Sequence, residues 1–350
     1  MGWIVSLLVL SGLIFFHELG HYLVARAVGV YVEVFSIGFG KKLFSFWAFN
    51  TQWSISAIPL GGYVKMKGQD DADPTKKSYD ADSYNTKTPL QKIAILLAGP
   101  FANFLLAFVL YLAIGIAGPK ALSPVIGDIV KESPAALAGL KSNDTIQSIN
   151  GIKITTWNDM AEHIASSNGV INLQIIREGY MQNITLTPKI TETSDMYGDK
   201  VQRKMIGIGS AGVTQELNLS FIQALSYAKE QTVFASTMIF TGVKKLIFGE
   251  VPADELGGVI SIVKLTSDAS ADGWMSVFFF AALISVNLGV LNLLPIPALD
   301  GGHIMFNLYE LITKRAPSED ILLKLTMAGW VILFSLMGLG LYNDIHRLIG

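Results

Sequence analysis

The 350 residues include 51% hydrophobic and only 15% charged side chains, with a net charge of −2. Soluble domains carry about 25% charged residues, so this balance argues against a soluble protein, and the small net charge argues against a nucleic-acid partner. There is no cysteine, which excludes disulfides, iron–sulfur clusters and thiolate metal sites; any metal must be held by His, Asp or Glu, and only five histidines are present.

Four stretches are apolar over the roughly 20 residues that a bilayer crossing takes: 3–28, 93–118, 273–299 and 325–343. In the first, His17, Glu18 and His21 are the only ionisable groups before Arg26. No basic cluster precedes it, and its apolar run leads into HELGH instead of a small-residue cleavage site. A retained span is therefore expected, not a cleaved leader. Trp3, Trp274, Trp330 and Tyr342 stand near span ends, where amphipathic rings favour the interface.

After the first span, Val32, Val34 and Ser36 alternate with Glu33, Phe35 and Ile37, and residues 53–58 alternate again before Pro59. Glycines at 38, 40, 61 and 62 punctuate the run. The period of two predicts one or two β-hairpins, forming either a small sheet on the membrane face or one whose edge dips into the bilayer. Residues 68–87, with Asp70, Asp71, Asp73, Lys76 and Lys77, read as a solvated loop. Thr88 and Pro89 then give an N-cap and a first-turn proline for the second span. Within that span Gly99, Pro100, Ala102 and Asn103 are small or polar. Small residues permit close helix packing in lipid, and Asn103 is expected to bond to a neighbouring helix in a structural role.

Residues 121–190 predict a compact α+β unit: strands at 125–130 and 145–149, a turn at Asn150-Gly151, helices at 133–138 and 157–166, and strands at 171–176 and 182–186 around Glu178-Gly179. His163 is expected on a helix surface. Residues 216–250 mix apolar positions with Lys229, Glu230, Lys244 and Lys245, which suits an amphipathic helical pair on the membrane face better than a fifth span. In the third span Pro295 and Pro297 cannot continue a regular helix, so a break inside the membrane is expected. The expected organisation is membrane core at 1–120, the compact domain at 121–190, a linker with amphipathic helices at 191–272, and membrane core at 273–350.

Lysines and arginines set the orientation. Arg26, Lys41, Lys42, Lys65, Lys67, Lys76, Lys77 and Lys87 lie between the first two spans, and Lys314, Arg315 and Lys324 follow the third. Positive charge favours the cytoplasmic side, which puts both termini and the 119–272 region outside the cytoplasm.

His17-Glu18-Leu19-Gly20-His21 is an H-E-x-x-H segment on a helix. Residues four apart share a helical face, so both imidazoles can hold one metal ion, while the Glu18 carboxylate reaches water at that ion. Three ionisable groups inside a span are expensive and usually functional. Fifteen residues at about 1.5 Å each put His17 about 22 Å into a core of about 30 Å. A third protein ligand is needed. Asp300, freed by the proline break and followed by Gly301 and Gly302, is the preferred candidate; His303 is the rival, and a purely capping role for Asp300 is the alternative.

HELGH, GPFAN in the second span, the order SPAALAGLKSNDTIQSINGIKI, and NLLPIPALDGGH in the third together resemble the site-2 protease family, and most closely its bacterial RseP-type members. The 121–190 unit resembles a PDZ domain; many RseP-type proteins have two, and this chain has room for one. The resemblance implies an α-helical polytopic membrane protein of four transmembrane helices, with a membrane-associated β-hairpin region and an inserted PDZ-like α+β domain. It implies Zn2+ held by His17, His21 and Asp300, Glu18 as acid/base, Asn292 as a substrate-holding residue, and Gly61 and Gly62 beside the substrate strand. It further implies an endopeptidase in the lipid bilayer of the bacterial inner membrane, acting on single-span proteins such as anti-sigma factors or remnant signal peptides. The PDZ-like unit would bind peptide ends or restrict access by size. A membrane adaptor with a structural zinc closed by His303, and a zinc transporter, are the competing classes.

Overall fold

The computed structural model describes residues 2–69, 78–195, 197–252, 254 and 256–349, with the side chains of 59 and 60 left aside. Asp70, Asp71, Asp73, Lys76 and Lys77 of the expected loop lie outside the described residues. The chain divides into a larger unit, Met1–Gly115 with Phe221–Gly350, and a smaller one, Ile116–Ser220.

The larger unit begins with α1 (Gly2–Ala27), followed by β1 (Val32–Ala48), β2 (Thr51–Met66) and α2 (Pro89–Ala117). Phe49 and Asn50 both take positive φ, the geometry of a two-residue hairpin turn. The two strands are too long to stay flat and fold back on themselves. Val34–Ile37 pairs antiparallel with residues 62–65, and also lies beside residues 52–55, where the partner numbers rise together. Residues 44–48 in turn pair with 51–55, so four short segments lie in the order 62–66, 32–37, 52–55, 44–48. Buried hydroxyls find partners inside this sheet: Ser36 Oγ and Ser56 Oγ are 3.0 Å apart, and Thr51 Oγ1 donates to the Val32 carbonyl at 2.9 Å. Phe35 stacks on Trp53, with Tyr22 of α1 edge-on to both, which fastens the sheet to the first span.

The smaller unit comprises β3 (Lys120–Leu122), β4 (Ile126–Ile129), α3 (Pro134–Leu137), β5 (Thr145–Ile149), β6 (Ile152–Lys153), α4 (Trp157–Ser166), β7 (Ile171–Arg177), β8 (Tyr180–Leu186), β9 (Lys189–Ser194), β10 (Lys200–Met205), β11 (Ile208–Ser210) and β12 (Thr214–Glu216). A four-stranded sheet runs β6-β5-β7-β8. Asn150-Gly151 and Glu178-Gly179 turn with positive φ, as their sequence signals demand. Thr156 and Asp159 form a reciprocal capping box at the start of α4. Ile126, Ile146, Met160, Ile171 and Ile175 belong to one buried core. The unit reaches beyond residue 190 because β11 pairs back onto β4 and β12 onto β3.

The larger unit resumes with α5 (Phe221–Ile247), α6 (Val259–Asp272), α7 (Trp274–Asn292), α8 (Asp300–Thr313) and α9 (Glu319–Ile349). In place of a helical pair at 216–250 there is one continuous helix, because no proline interrupts it. It does not lie apart from the spans: Ala228 and Ala235 pack against Tyr111 of α2 and Ala282 and Val286 of α7. The second amphipathic helix is α6, beside α1, where Ser6 Oγ donates to the Val263 carbonyl at 3.0 Å. Asp344 of α9 caps its N-terminus, accepting from the backbone N–H groups of Gly258 at 3.0 Å and Ser261 at 3.1 Å.

α1, α2, α7 and α9 are long and apolar enough to cross a membrane. Only 11% of the apolar stretch of α1, and the same share of α9, is buried. Leu8, Leu23, Val331, Phe334 and Met337 are bare. Exposed apolar surface on that scale matches hydrocarbon, not water. The chain is a multi-pass membrane protein.

Candidate metal centre

α1 presents His17 and His21 one helical turn apart, their rings edge-on with centroids 4.8 Å apart. Nε2 of His17 and Nε2 of His21 are 3.2 Å apart. Asp300 Oδ2 lies 3.3 Å from the first and 3.4 Å from the second. The three atoms form a nearly equilateral triangle. A tetrahedral zinc ion with bonds of about 2.0–2.1 Å spaces its ligand atoms by about 3.3–3.4 Å, so the triangle has the dimensions of one tetrahedral face. Asp300 Oδ2 is buried and accepts no hydrogen bond. A carboxylate oxygen so placed fits a cation. Imidazole and carboxylate donors with no sulfur suit zinc.

Among the described residues no fourth His, Asp or Glu joins the group. A structural zinc site closes with four protein ligands, whereas a catalytic one keeps a position open. His303 is one turn past Asp300 on α8, its ring edge-on to Phe306 and outside the triangle.

The route that delivers Asp300 is legible in backbone terms. α7 ends at Asn292, before Pro295 and Pro297, and residues 293–299 double back so that α8 starts at Asp300. A side chain at 301 would collide with the Leu293 and Leu294 carbonyls, and one at 302 with the Ile296 carbonyl, so this fold-back needs glycine at both places. Asn292, half-buried, stands at the mouth of that turn.

α2 shapes the other wall. Ile95, Gly99 and Asn103 are spaced four apart and form one stripe facing the histidines. His21 Nδ1 lies 2.8 Å from the Ile95 carbonyl oxygen. Pro100 lacks the N–H that would bind the Leu96 carbonyl, so one rung of the helix ladder is missing at this level. Gly99 provides room for both rings: a Cβ there would stand 2.5 Å from Cε1 of His21 and 2.8 Å from Cε1 of His17. Asn103, fully buried, places Nδ2 3.1 Å from His17 Nδ1. The neighbour expected for Asn103 is thus a residue of the triangle itself. The sequence held one signal of this, a polar residue four positions after Gly99 in a span without charges.

Glu18, half-buried, is outside the triangle and faces β2. A Cβ at Gly62 would be 3.1 Å from Glu18 Cγ and 2.8 Å from Ile14 Cγ2. Gly62 therefore lets the backbone of segment 62–66, an outer segment of the folded sheet, approach the carboxylate. Gly61 packs against the ring of Phe39.

The model of Peptidase family M50 matches residues 5–336. A Campylobacter jejuni protein named "Putative zinc metalloprotease Cj1068" is 47% identical over 348 residues, which cover 99% of this chain and 94% of that protein. A Helicobacter pylori strain J99 protein named "Putative zinc metalloprotease" is 42% identical over 361 residues, covering 99% of this chain and all of the relative. The Clostridium acetobutylicum protein "Putative zinc metalloprotease CA_C1796" is 35% identical over 335 residues, covering 95% and 94%. With the family match spanning nearly the whole sequence, the chain belongs to Peptidase family M50, the site-2 proteases, and is a membrane zinc metalloprotease.

Proposed function

We propose that the protein is an intramembrane endopeptidase that cleaves the transmembrane segments of single-span proteins, with His17, His21 and Asp300 as zinc ligands and Glu18 as acid/base. The observation that carries this reading is the open three-donor triangle inside a membrane span. Zinc, when bound there, supplies Lewis acidity that polarises the peptide carbonyl and acidifies water. Glu18 takes the proton of the attacking water and passes it to the leaving amine. A membrane helix hides its peptide bonds in its own hydrogen-bond ladder, so the substrate must first unwind. Segment 62–66 offers an outer strand to which the unwound stretch adds, with main-chain bonds replacing those lost. Gly62 keeps that strand close to Glu18, and Asn292, at the turn before Asp300, holds the substrate from the other side.

The distribution of lysine and arginine supports an orientation in the bacterial inner membrane with both termini and residues 119–272 outside the cytoplasm. The strand and helix order of the smaller unit supports a PDZ-like domain, whose role is to bind peptide ends or to restrict access by size. Substrates of the anti-sigma-factor or remnant-signal-peptide kind fit this arrangement, being single-span and shortened on the outer side.

The test is Glu18→Gln in the full-length protein, reconstituted with a single-span substrate. Cleavage should vanish while zinc content stays near that of the parent; retained cleavage would refute the assignment. Mass spectrometry of membrane peptides that accumulate in cells carrying the same variant then identifies the substrate class.

A further inference from the structure

His21 and His17 are held differently at the nitrogen that turns away from the triangle. The Ile95 carbonyl can only accept, so His21 Nδ1 carries a proton, and Nε2 is the nitrogen turned to the triangle. His17 Nδ1 faces no carbonyl of the backbone but the side-chain amide of Asn103. That amide is fully buried within a membrane span, its oxygen has no partner, and its single hydrogen bond among the described residues is to His17. Burying an amide in hydrocarbon is costly, and here the whole side chain serves one ring.

An amide has a donor end and an acceptor end of nearly equal size, and which end faces a ring follows from the protons present. With the amino end towards the ring, Nδ1 must be bare and the ring proton sits on Nε2, pointing into the triangle. With the carbonyl end towards the ring, Nδ1–H donates to Asn103 and Nε2 is free to ligate.

We infer that Asn103 is the positioning residue of the zinc site: its amide turns its oxygen to His17 Nδ1–H and so holds His17 in the metal-ligating tautomer. The inference rests on the assignment of His17 as a ligand. It differs from a packing role, in which any side chain of similar volume would serve. On this inference Asn103 acts through the ring of His17.

The experiment measures zinc release from the purified full-length protein to a chromogenic chelator, with folding checked by elution and melting. Outer-sphere partners of this kind change metal affinity by about tenfold to a hundredfold. Asn103→Leu, which keeps the volume and suits lipid, should release zinc at least ~10-fold faster than the parent. Asn103→Asp, which keeps an acceptor, should stay within about threefold of the parent, since the outer-sphere bond survives. A folded Asn103→Leu protein that releases zinc at the parent rate overturns the inference, as does a folded Asn103→Asp protein that leaks as fast as the Leu variant. If Leu prevents folding, Asn103→Ala takes its place with the same two outcomes. His17→Ala separates the ligand role of His17 from the positioning role of Asn103. If it retains zinc, the ligand assignment itself fails; if it loses zinc while Asn103→Leu behaves as the parent, only the role of Asn103 fails.

Discussion

Gly99 of α2 faces His21 of α1 so closely that a methyl group at position 99 would stand 2.5 Å from Cε1 of the ring. Non-bonded carbons do not approach to that distance. The rings of His17 and His21 therefore occupy the volume that a side chain at 99 would fill, and the helix pair can close only because position 99 carries no Cβ.

Gly99→Ala follows directly. Overpacking a close helix contact costs about 1–3 kcal/mol, and here the yielding groups are the two imidazoles. The variant should still insert in membranes but retain well under half of the parent's zinc, with activity falling in parallel, as measured by elemental analysis of the purified protein. Full zinc occupancy in Gly99→Ala would mean that the helices separate without moving the rings.

Asp300 and His303 should separate cleanly. Asp300→Ala removes one corner of the triangle and should abolish both stable zinc binding and proteolysis. His303→Ala, outside the triangle, should keep one zinc per chain. Chelator treatment of the parent should remove activity, and added zinc should restore it. Loss of zinc in His303→Ala would instead indicate a closed, four-ligand site.

Gly62 tests the approach of β2 to Glu18. Gly62→Val places two methyl groups where even a Cβ would sit 2.8–3.1 Å from Ile14 and Glu18. Cleavage of a single-span substrate should drop ~10-fold or more, as displacements of about 1 Å near reacting groups can cost 100-fold, while zinc content is unchanged. Equal loss of zinc would show that the sheet supports the metal site itself.

In the smaller unit, the Asp144 carboxylate is 1% exposed and accepts from Arg177 Nε at 2.8 Å, Arg177 Nη2 at 2.7 Å and the Lys141 backbone N–H at 2.7 Å. Burial pushes its pKa up, but the Arg177 fork and the Lys141 amide outweigh this and hold it below the ordinary carboxylate value. The folded value lies below the unfolded one. The stabilisation is thus complete above about pH 4 and fades as pH falls through the folded value. Asp144→Ala leaves Arg177 partly buried without its partner and should cost about 3 kcal/mol. Hydrogen exchange of residues 141–177 in the full-length protein should rise at neutral pH, whereas lowering the pH from 7 to 5 should not weaken the parent by this route.

The hairpin region shows how far local pattern reaches. Alternation around Val34 and Trp53 marks β structure, while the turn at Phe49-Asn50 is seen only in the structure. Yet the same alternation is compatible with one flat hairpin, and only the bend at residues 38–42 and 56–61 brings 52–55 beside 34–37. α5 repeats the point. Its mixed composition suits a membrane surface, but Ala228 and Ala235 are small enough to pack closely against Tyr111 and Val286, contacts that span more than fifty residues of sequence.

By itself the sequence determined what depends on chain-local geometry: four apolar helices, a His pair spaced for one helical face, a break at Pro295 and Pro297, and turns at Asn150 and Glu178. These follow from the 3.6-residue period and from backbone limits that neighbours cannot change. Tertiary structure alone decided that Asp300 Oδ2 closes a triangle with residues some 280 positions earlier, that Ile95 and Asn103 hold the outer nitrogens of the two rings, and that Gly62 faces Glu18. Such contacts arise from complementary shape between helices that meet in lipid, where a single absent Cβ admits or excludes a neighbour.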